Sequence, residues 1–287
     1  MPDTIRLFAG LDNLLTLNQQ LGKTAVKMTL QSQPILHDKF RKELLVHYNF
    51  ALLRLPRPVD FSRYGKIRPV CLPASSRADH GGREAVTGGF GHTVVDRYEG
   101  KSLRKGQGRN FANHLQTLTV EIMHSNSCEE SWAPLLGRFE ASPDKLCAIK
   151  ETGDLCDGDK GAGLVVDTAS GPELVGVASF TVGCLSTFRD ARLPVVYGKV
   201  AAILGWIERQ TSDASGCRIT TTTTRSETCK VCGMNYAENS VRVIGGRDAD
   251  RREYPWAALA LINNKFRKGE RESKGSKGII NMSFKNL

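Results

Sequence analysis

Short apolar runs that alternate with turn signals dominate the first 210 residues. Leu115–Ile122 alternates apolar and polar positions, as a strand with one buried face does. Glu43–Leu55 is a near-continuous apolar run, which predicts a buried strand. Leu164–Val166 and Leu174–Phe180 predict two more strands, joined by a Ser-Gly-Pro turn. The pattern predicts an all-β body.

One segment has helical periodicity. Apolar residues recur there at helical spacing, at positions Val200, Ile203, Leu204 and Ile207. The spacing predicts a single helix that ends near Gln210 and closes the all-β body.

The composition changes after Gln210. Residues 211–241 contain a five-threonine run, few apolar residues and three cysteines, which predicts a linker. The Cys229-x-x-Cys232 pair is compatible with a zinc or redox site. Since no second pair or histidine stands at zinc-finger spacing, disulfides within the linker are the preferred interpretation, and no metal site is predicted.

Half of the net charge of +10 lies at the end of the sequence. Residues 265–287 carry seven Lys or Arg against two Glu, which gives +5 and predicts a disordered basic tail. Nucleic-acid binding is one interpretation of this tail. Since the tail lacks the aromatic interleaving that stacks bases, a solvated tail is preferred, and no nucleic-acid partner is expected. No apolar run approaches the ~18 residues of a membrane span.

The cysteines predict an oxidising compartment. Eight scattered cysteines fit disulfides better than reduced cytosolic thiols. The N-terminal residues lack the basic start and apolar block of a secretory signal. A missing N-terminal region would reconcile the two observations, and we expect an extracellular, secreted protein although this chain carries no signal peptide.

A family resemblance rests on several motifs in a fixed order. Cys156–Val166, CDGDKGAGLVV, is similar to the Cys-x-Gly-Asp-Ser-Gly-Gly-Pro-Leu-Val segment of trypsin- and chymotrypsin-type serine peptidases. Further segments that resemble this family are Asn49–Leu55, Ile67–Pro73, Val86–Gly91, Leu146–Ala148, Leu174–Phe180 and Val196–Tyr197 followed by Trp206. The resemblance covers roughly residues 4–210. It implies a trypsin-like double six-stranded antiparallel β-barrel with a C-terminal helix.

The resemblance also implies a domain organisation. The family's first third, with its histidine segment, has no counterpart, so residues 1–210 are expected to form a domain whose first barrel is truncated at its N-terminal side. The linker 211–241 follows. Residues 242–264 resemble the start of a second such domain, with an activation cleavage between Arg242 and Val243. Residues 265–287 form the basic tail.

The triad positions of the family are altered. Lys160 stands at the serine position and Asn49 at the aspartate position, and the histidine segment is absent. A lysine has no hydroxyl to acylate, and an amide in place of the acid costs about 10⁴ in kcat in this family. Although the chain resembles a peptidase, we predict that it is inactive.

Other family positions are kept in part. The resemblance implies that Gly158 and the residue-160 amide form an oxyanion-hole remnant. Asp159 matches the aspartate that captures the family's new N-terminal amine, and a local ion pair with Lys160 is the alternative.

The specificity pocket is expected to be occluded. Asp154 matches the family position that selects Lys or Arg side chains. Thr181 and Val195 stand where the pocket walls are normally glycine, so two β-branched side chains would fill the cleft. In the alternative, the loops shift and leave it partly open.

The resemblance implies two disulfides, Cys128–Cys147 and Cys156–Cys184. Cys71 resembles the family cysteine that tethers an upstream light chain, and its partner would be absent here. An orphaned Cys71 or Cys232 would be a reactive thiol. The pairing of Cys71, Cys217, Cys229 and Cys232 stays open.

Three functions are compatible with these observations. The preferred one is a non-catalytic serine-protease homologue that binds other proteins, proteases or their substrates, in an extracellular proteolytic cascade. The alternative is a serine-type endopeptidase whose activity lies in the full-length product. The third is a non-functional fragment or a basic interaction protein. None requires a cofactor.

Overall fold

A computed structural model describes most of the first 212 residues and three short strands beyond them. The described residues are 5–30, 32–41, 47–65, 67–91, 111–136, 142–150, 155, 158–169, 171–181, 193–212, 247–248, 258–262 and 278–279. Within this part of the chain, no helix combines the length and the hydropathy that a membrane crossing requires.

Strands predominate in the described residues. The strands are β1 (Ile5–Ala9), β2 (Val26–Thr29), β3 (Ile35–Leu36), β4 (Ala51–Leu52), β5 (Glu84–Gly89), β6 (Gln116–Ile122), β7 (Lys145–Ile149), β8 (Gly163–Thr168), β9 (Gly171–Phe180), β10 (Val195–Lys199), β11 (Arg247–Asp248), β12 (Ala258–Ile262) and β13 (Gly278–Ile279). The helices are α1 (Leu17–Gln20), α2 (Ser125–Leu136) and α3 (Leu204–Gln210), and Leu14–Thr16 and Val200–Ile203 form 3₁₀ turns before α1 and α3.

Six strands form a closed antiparallel barrel. Their order is β6-β5-β8-β9-β10-β7, and pairing of β6 with β7 closes the ring, while β11 adds to the outer edge of β6. Along β6, Leu118, Val120 and Ile122 point into the barrel core, which confirms the predicted half-buried strand. The predicted all-β, trypsin-like body with a C-terminal helix is confirmed.

A second sheet combines two strands from near the start of the sequence with two strands from near its end. Its strand order is β13-β12-β1-β2, and a separate two-stranded ladder pairs β3 with β4. Leu7 and Met28 are buried in its core together with Ile67. Phe8, the neighbour of Leu7 on β1, packs in another buried cluster with Phe90. β1 is therefore buried on both of its faces.

The prediction of a strand over Glu43–Leu55 is wrong in the described part of this segment. Only Ala51–Leu52 joins a ladder, and both residues are at least partly exposed. The chain turns sharply just before, because Tyr48 adopts a left-handed conformation with φ 46°. The Tyr48 amide donates to the buried Asp144 carboxylate at 2.5 Å, and this contact holds the turn in place.

The prediction of a single helix is also wrong. Among the side chains that the structure describes in helix α2, residues 125–134, only Cys128 and Trp132 are buried, one turn apart. Pro134 lies inside it, and a proline argues against a helix when the sequence is considered alone. Burial of Trp132 against the barrel, rather than a long apolar stripe, accounts for the helix.

Helix α2 is joined to the barrel by a disulfide. Cys128 is bonded to Cys147 of β7, with a sequence separation of 19. A closed loop of this length stabilises the folded state by about 3 kcal/mol, mainly because it restricts the unfolded chain.

We expect the double variant Cys128→Ala/Cys147→Ala to lose about 3 kcal/mol of unfolding free energy. Urea denaturation measures this loss, with Ser127→Ala at an exposed neighbouring position as the matched control. A loss below about 1 kcal/mol would show that the loop is already restricted in the unfolded state.

Helix α3 docks through an aromatic cluster. Trp206 and Ile207 are buried beside Phe50 and Val70. His37 is only 7% exposed and lies in the same place, with ring centroids 4.8 Å from Tyr48 and 4.7 Å from Trp206. Its Nδ1 accepts a hydrogen bond from the Lys39 amide, so the neutral imidazole fits the site.

Burial lowers the pKa of His37 below its usual value. His37 therefore binds a proton more readily in the unfolded chain than in the folded protein. The stabilising contribution of the buried neutral His37 is present above about pH 6.5 and is lost as the pH falls through the lowered pKa. We expect the thermal midpoint of the protein to fall more between about pH 8 and about pH 5.5 than that of His37→Phe. An equal decrease in the thermal midpoint of both proteins would show that His37 is not the cause.

Candidate functional site

The loop Gly158–Gly161 comes directly before β8 and carries the altered nucleophile position. Gly158 has φ 102°, and a Cβ atom there would lie 3.0 Å from the Phe111 ring. The Gly161 amide donates to the Ala178 carbonyl of β9 at 2.8 Å. Close approach and positive φ thus require the glycine, and the hydrogen bond fixes the loop on the barrel.

Asp159 is buried beneath this loop. It is 2% exposed, and its Oδ1 accepts a hydrogen bond from the Gly91 amide at 2.8 Å. A Cβ atom on Gly91 would lie 2.3–2.5 Å from the Asp159 carboxylate, so only glycine fits there. The match of Asp159 to the family aspartate that captures a new N-terminal amine stays a prediction.

Lys160 is exposed at the surface of the loop. Among the described residues, no acidic side chain pairs with its ammonium group, so the proposed ion pair with Asp159 does not form. The amides of Gly158 and Lys160 donate no hydrogen bond to any described residue. Both donors are thus available, and the oxyanion-hole role of this pair stays a prediction.

Asn49 lies at the aspartate position and contacts the barrel. Its Nδ2 donates to the Ser179 hydroxyl at 3.0 Å, and Ser179 is buried on β9. Asn49 itself is largely exposed. Sequence reasoning missed Ser179, although it lies inside the Leu174–Phe180 segment that carries the resemblance. An uncharged amide here can orient an imidazole but cannot balance the charge of an imidazolium.

The histidines are engaged elsewhere. Five of the six are described, and none of these hydrogen-bonds Asn49 or Lys160. His37 lies in the aromatic cluster, His47 contacts Asp144 and Lys145, and His80 contacts Glu173. His114 pairs with the Asn13 backbone, and His124 lies beside Gly81. His92 lies outside the described residues.

His47 belongs to a small charged cluster away from Asn49. Its Nδ1 lies 3.5 Å from Asp144 Oδ1, and its Nε2 lies 3.2 Å from Lys145 Nζ. Asp144 is 1% exposed, and its carboxylate also accepts from Ser142. The same Asp144 carboxylate accepts a hydrogen bond from the Tyr48 amide, 96 residues away in the sequence. Because the contacts join such distant residues, no local sequence signal predicts this cluster.

The specificity pocket is described in part. Thr181 is half-buried just after β9, and Val195 is buried in the barrel core with Leu155. Asp154 and residues 182–192 lie outside the described residues. Occlusion of the pocket by Thr181 and Val195 therefore stays a prediction.

Cys71 is not the orphaned thiol considered from the sequence. It is disulfide-bonded, and its partner lies outside the described residues. Cys156, Cys184, Arg242 and Val243 also lie outside them, so their predicted pairing and cleavage stay predictions. Three or more metal-ligating side chains do not converge anywhere in the described part of the chain.

Comparison with known proteins agrees with the fold. The family model described as Trypsin matches residues 15–207. Transmembrane protease serine 9 of Rattus norvegicus is 36% identical over 163 residues, which cover 56% of this chain and 13% of that protein. Vitamin K-dependent protein C of Mus musculus is 33% identical over 180 residues, which cover 58% of this chain and 35% of that protein. The matched part of the chain thus spans about an eighth of the length of the first relative and about a third of the length of the second.

Proposed function

Because the chain belongs to the trypsin family of serine peptidases, we propose that it is a non-catalytic member that acts by binding other proteins. Lys160 is the observation that carries this proposal. The family's reaction begins with attack by a hydroxyl, and an exposed lysine stands at that position without a described group to accept its proton.

The neighbouring groups support the same proposal. The base that would take the proton is a histidine held by a carboxylate. Here an amide occupies the carboxylate position, and its Nδ2 is bonded to Ser179. The five described histidines have other neighbours. Loss of the hydroxyl and loss of the carboxylate act on the same reaction, and either alone lowers the rate by several orders of magnitude.

A rigid barrel without catalytic activity is suited to binding other proteins. Six closed strands hold the loops at fixed positions, and loops on such a scaffold commonly carry binding residues. We propose proteases or their substrates as partners, in an extracellular cascade. The bonded cysteines at 71, 128 and 147 support an oxidising compartment. The predicted cleavage between Arg242 and Val243 would alter the chain without activating it.

We expect the protein not to hydrolyse ester substrates of arginine or lysine, since no described group acts as nucleophile or base. Hydrolysis is followed spectroscopically at high protein concentration, beside Lys160→Ala prepared in the same way. Turnover that disappears in Lys160→Ala would overturn the proposal. Turnover that is equal in both proteins would come from a contaminant or from another site.

A further inference from the structure

The outer neighbour of β1 comes from the far end of the chain. β12 pairs antiparallel with β1 over five residue pairs, from Ile5↔Ile262 to Ala9↔Ala258. β2 lies on the other side of β1, and β13 continues the sheet beyond β12. β1 is an inner strand only because residues 258–262 lie beside it.

β1 is built as an inner strand. Leu7 is 0% exposed, and Ile5 and Ala9 share its buried cluster. Phe8 is buried on the opposite face. Backbone N–H and C=O groups in such a strand need partners on both edges, because burial removes the water that would otherwise satisfy them. The edge of β1 that faces away from β2 therefore needs another strand.

The same segment is attached to the barrel. β11 pairs with β6 through Arg247↔Thr117 and Asp248↔Gln116. Only residues 249–257 separate β11 from β12. β11 and β12, which together we call the strap, thus lie beside β6 of the closed barrel and beside β1.

The strand of the strap suits this position. Ala258–Ile262, ALALI, contains no charge and no proline, so every residue keeps the backbone groups that a ladder with β1 uses. Residues 213–246 connect α3 to the strap.

We propose that the edge of β1 is a strand-addition site for an extended, uncharged, proline-free peptide, and that residues 258–262 of the same chain are its resident strand. The strap is then an interchangeable part of the first domain. When the connecting residues are cut, it stays bound, and an added peptide of the same sequence replaces it. This inference is independent of whether the protein is catalytic.

The first experiment uses the full chain with a site-specific protease sequence inserted after Ala237, which leaves every cysteine of the sequence on the first piece. After the cut, we expect the two pieces to elute together on native size exclusion. A fluorescent peptide of residues 256–264, which has no charge and no proline, should exchange into the complex. Separation of the pieces while the main body keeps its cooperative unfolding would overturn the proposal.

A matched pair of proline variants tests the ladder itself. Leu261→Pro removes a backbone donor within β12, whereas Asn264→Pro lies beyond its last residue. We expect the cut piece to be lost at least tenfold faster from Leu261→Pro than from the parent, with Asn264→Pro close to the parent. Equal retention of both variants would show that the strap is not held by β1.

A crosslink in the uncut chain tests the register and the source of the strand. Arg6 and Leu261 are partners, so Arg6→Cys/Leu261→Cys should form a link within one molecule, identified by non-reducing peptide mapping. Arg6→Cys/Ala258→Cys is out of register and should not. A link found only between two molecules would overturn the assignment to the same chain.

Discussion

The double variant Lys160→Ser/Asn49→Asp is expected to stay about 10⁶-fold below a complete family member in kcat. It restores the hydroxyl at position 160 and the carboxylate beside Ser179. It does not restore a base, because the described histidines lie against other groups, His47 against Asp144 and His80 against Glu173. A serine without a base is a poor nucleophile at neutral pH.

Ester turnover of this double variant, beside the parent, measures the effect. Lys160→Ser alone separates the contribution of the hydroxyl from that of the carboxylate. His92 is the one histidine outside the described residues. Turnover that rises in the double variant and is removed by a further His92→Ala change would show that a base is present after all.

Gly88→Ala is expected to lower the unfolding free energy by about 3 kcal/mol. Gly88 lies opposite Thr117 in the β5–β6 ladder. A Cβ atom there would lie 2.2 Å from the Gln116 carbonyl oxygen and 3.1 Å from the Thr117 Cα. Both are backbone atoms in the wall of the closed barrel, so no side-chain rotation relieves the contact.

The matched control is Gly65→Ala, because nothing lies within 4 Å of a Cβ atom at that position. Its unfolding free energy should stay within about 0.5 kcal/mol of the parent value. Chemical denaturation of both variants gives the comparison. A loss for Gly88→Ala no greater than that for Gly65→Ala would mean that β5 and β6 separate freely at this point.

The apolar runs predicted the barrel strands well. β6, β8 and β9 lie where the sequence placed them, β6 with buried residues that mostly alternate and β8 and β9 with runs of consecutive buried residues. The same reasoning failed at Tyr48, where a single left-handed residue ends an apolar run. It also failed at α2, because the helix packs through the buried Trp132 and has no periodic stripe of apolar residues in the sequence.

Site residues could be predicted from the sequence only at positions that align with a family motif. Lys160 and Asn49 were found in this way, and both lie on the scaffold that the motif implies. The partners of these residues depend on contacts between distant parts of the chain. Asn49 meets Ser179 across 130 residues, and β1 meets β12 across most of the sequence, and neither pairing leaves a local signal.

Labelling with a fluorophosphonate, followed by intact mass measurement of the full chain, tests the absence of catalysis most directly. The reagent adds only to a serine that is activated as a nucleophile. With Lys160 at the serine position, we predict that the mass of the protein does not change. A stoichiometric adduct mapped to any serine within residues 1–210 would contradict the account.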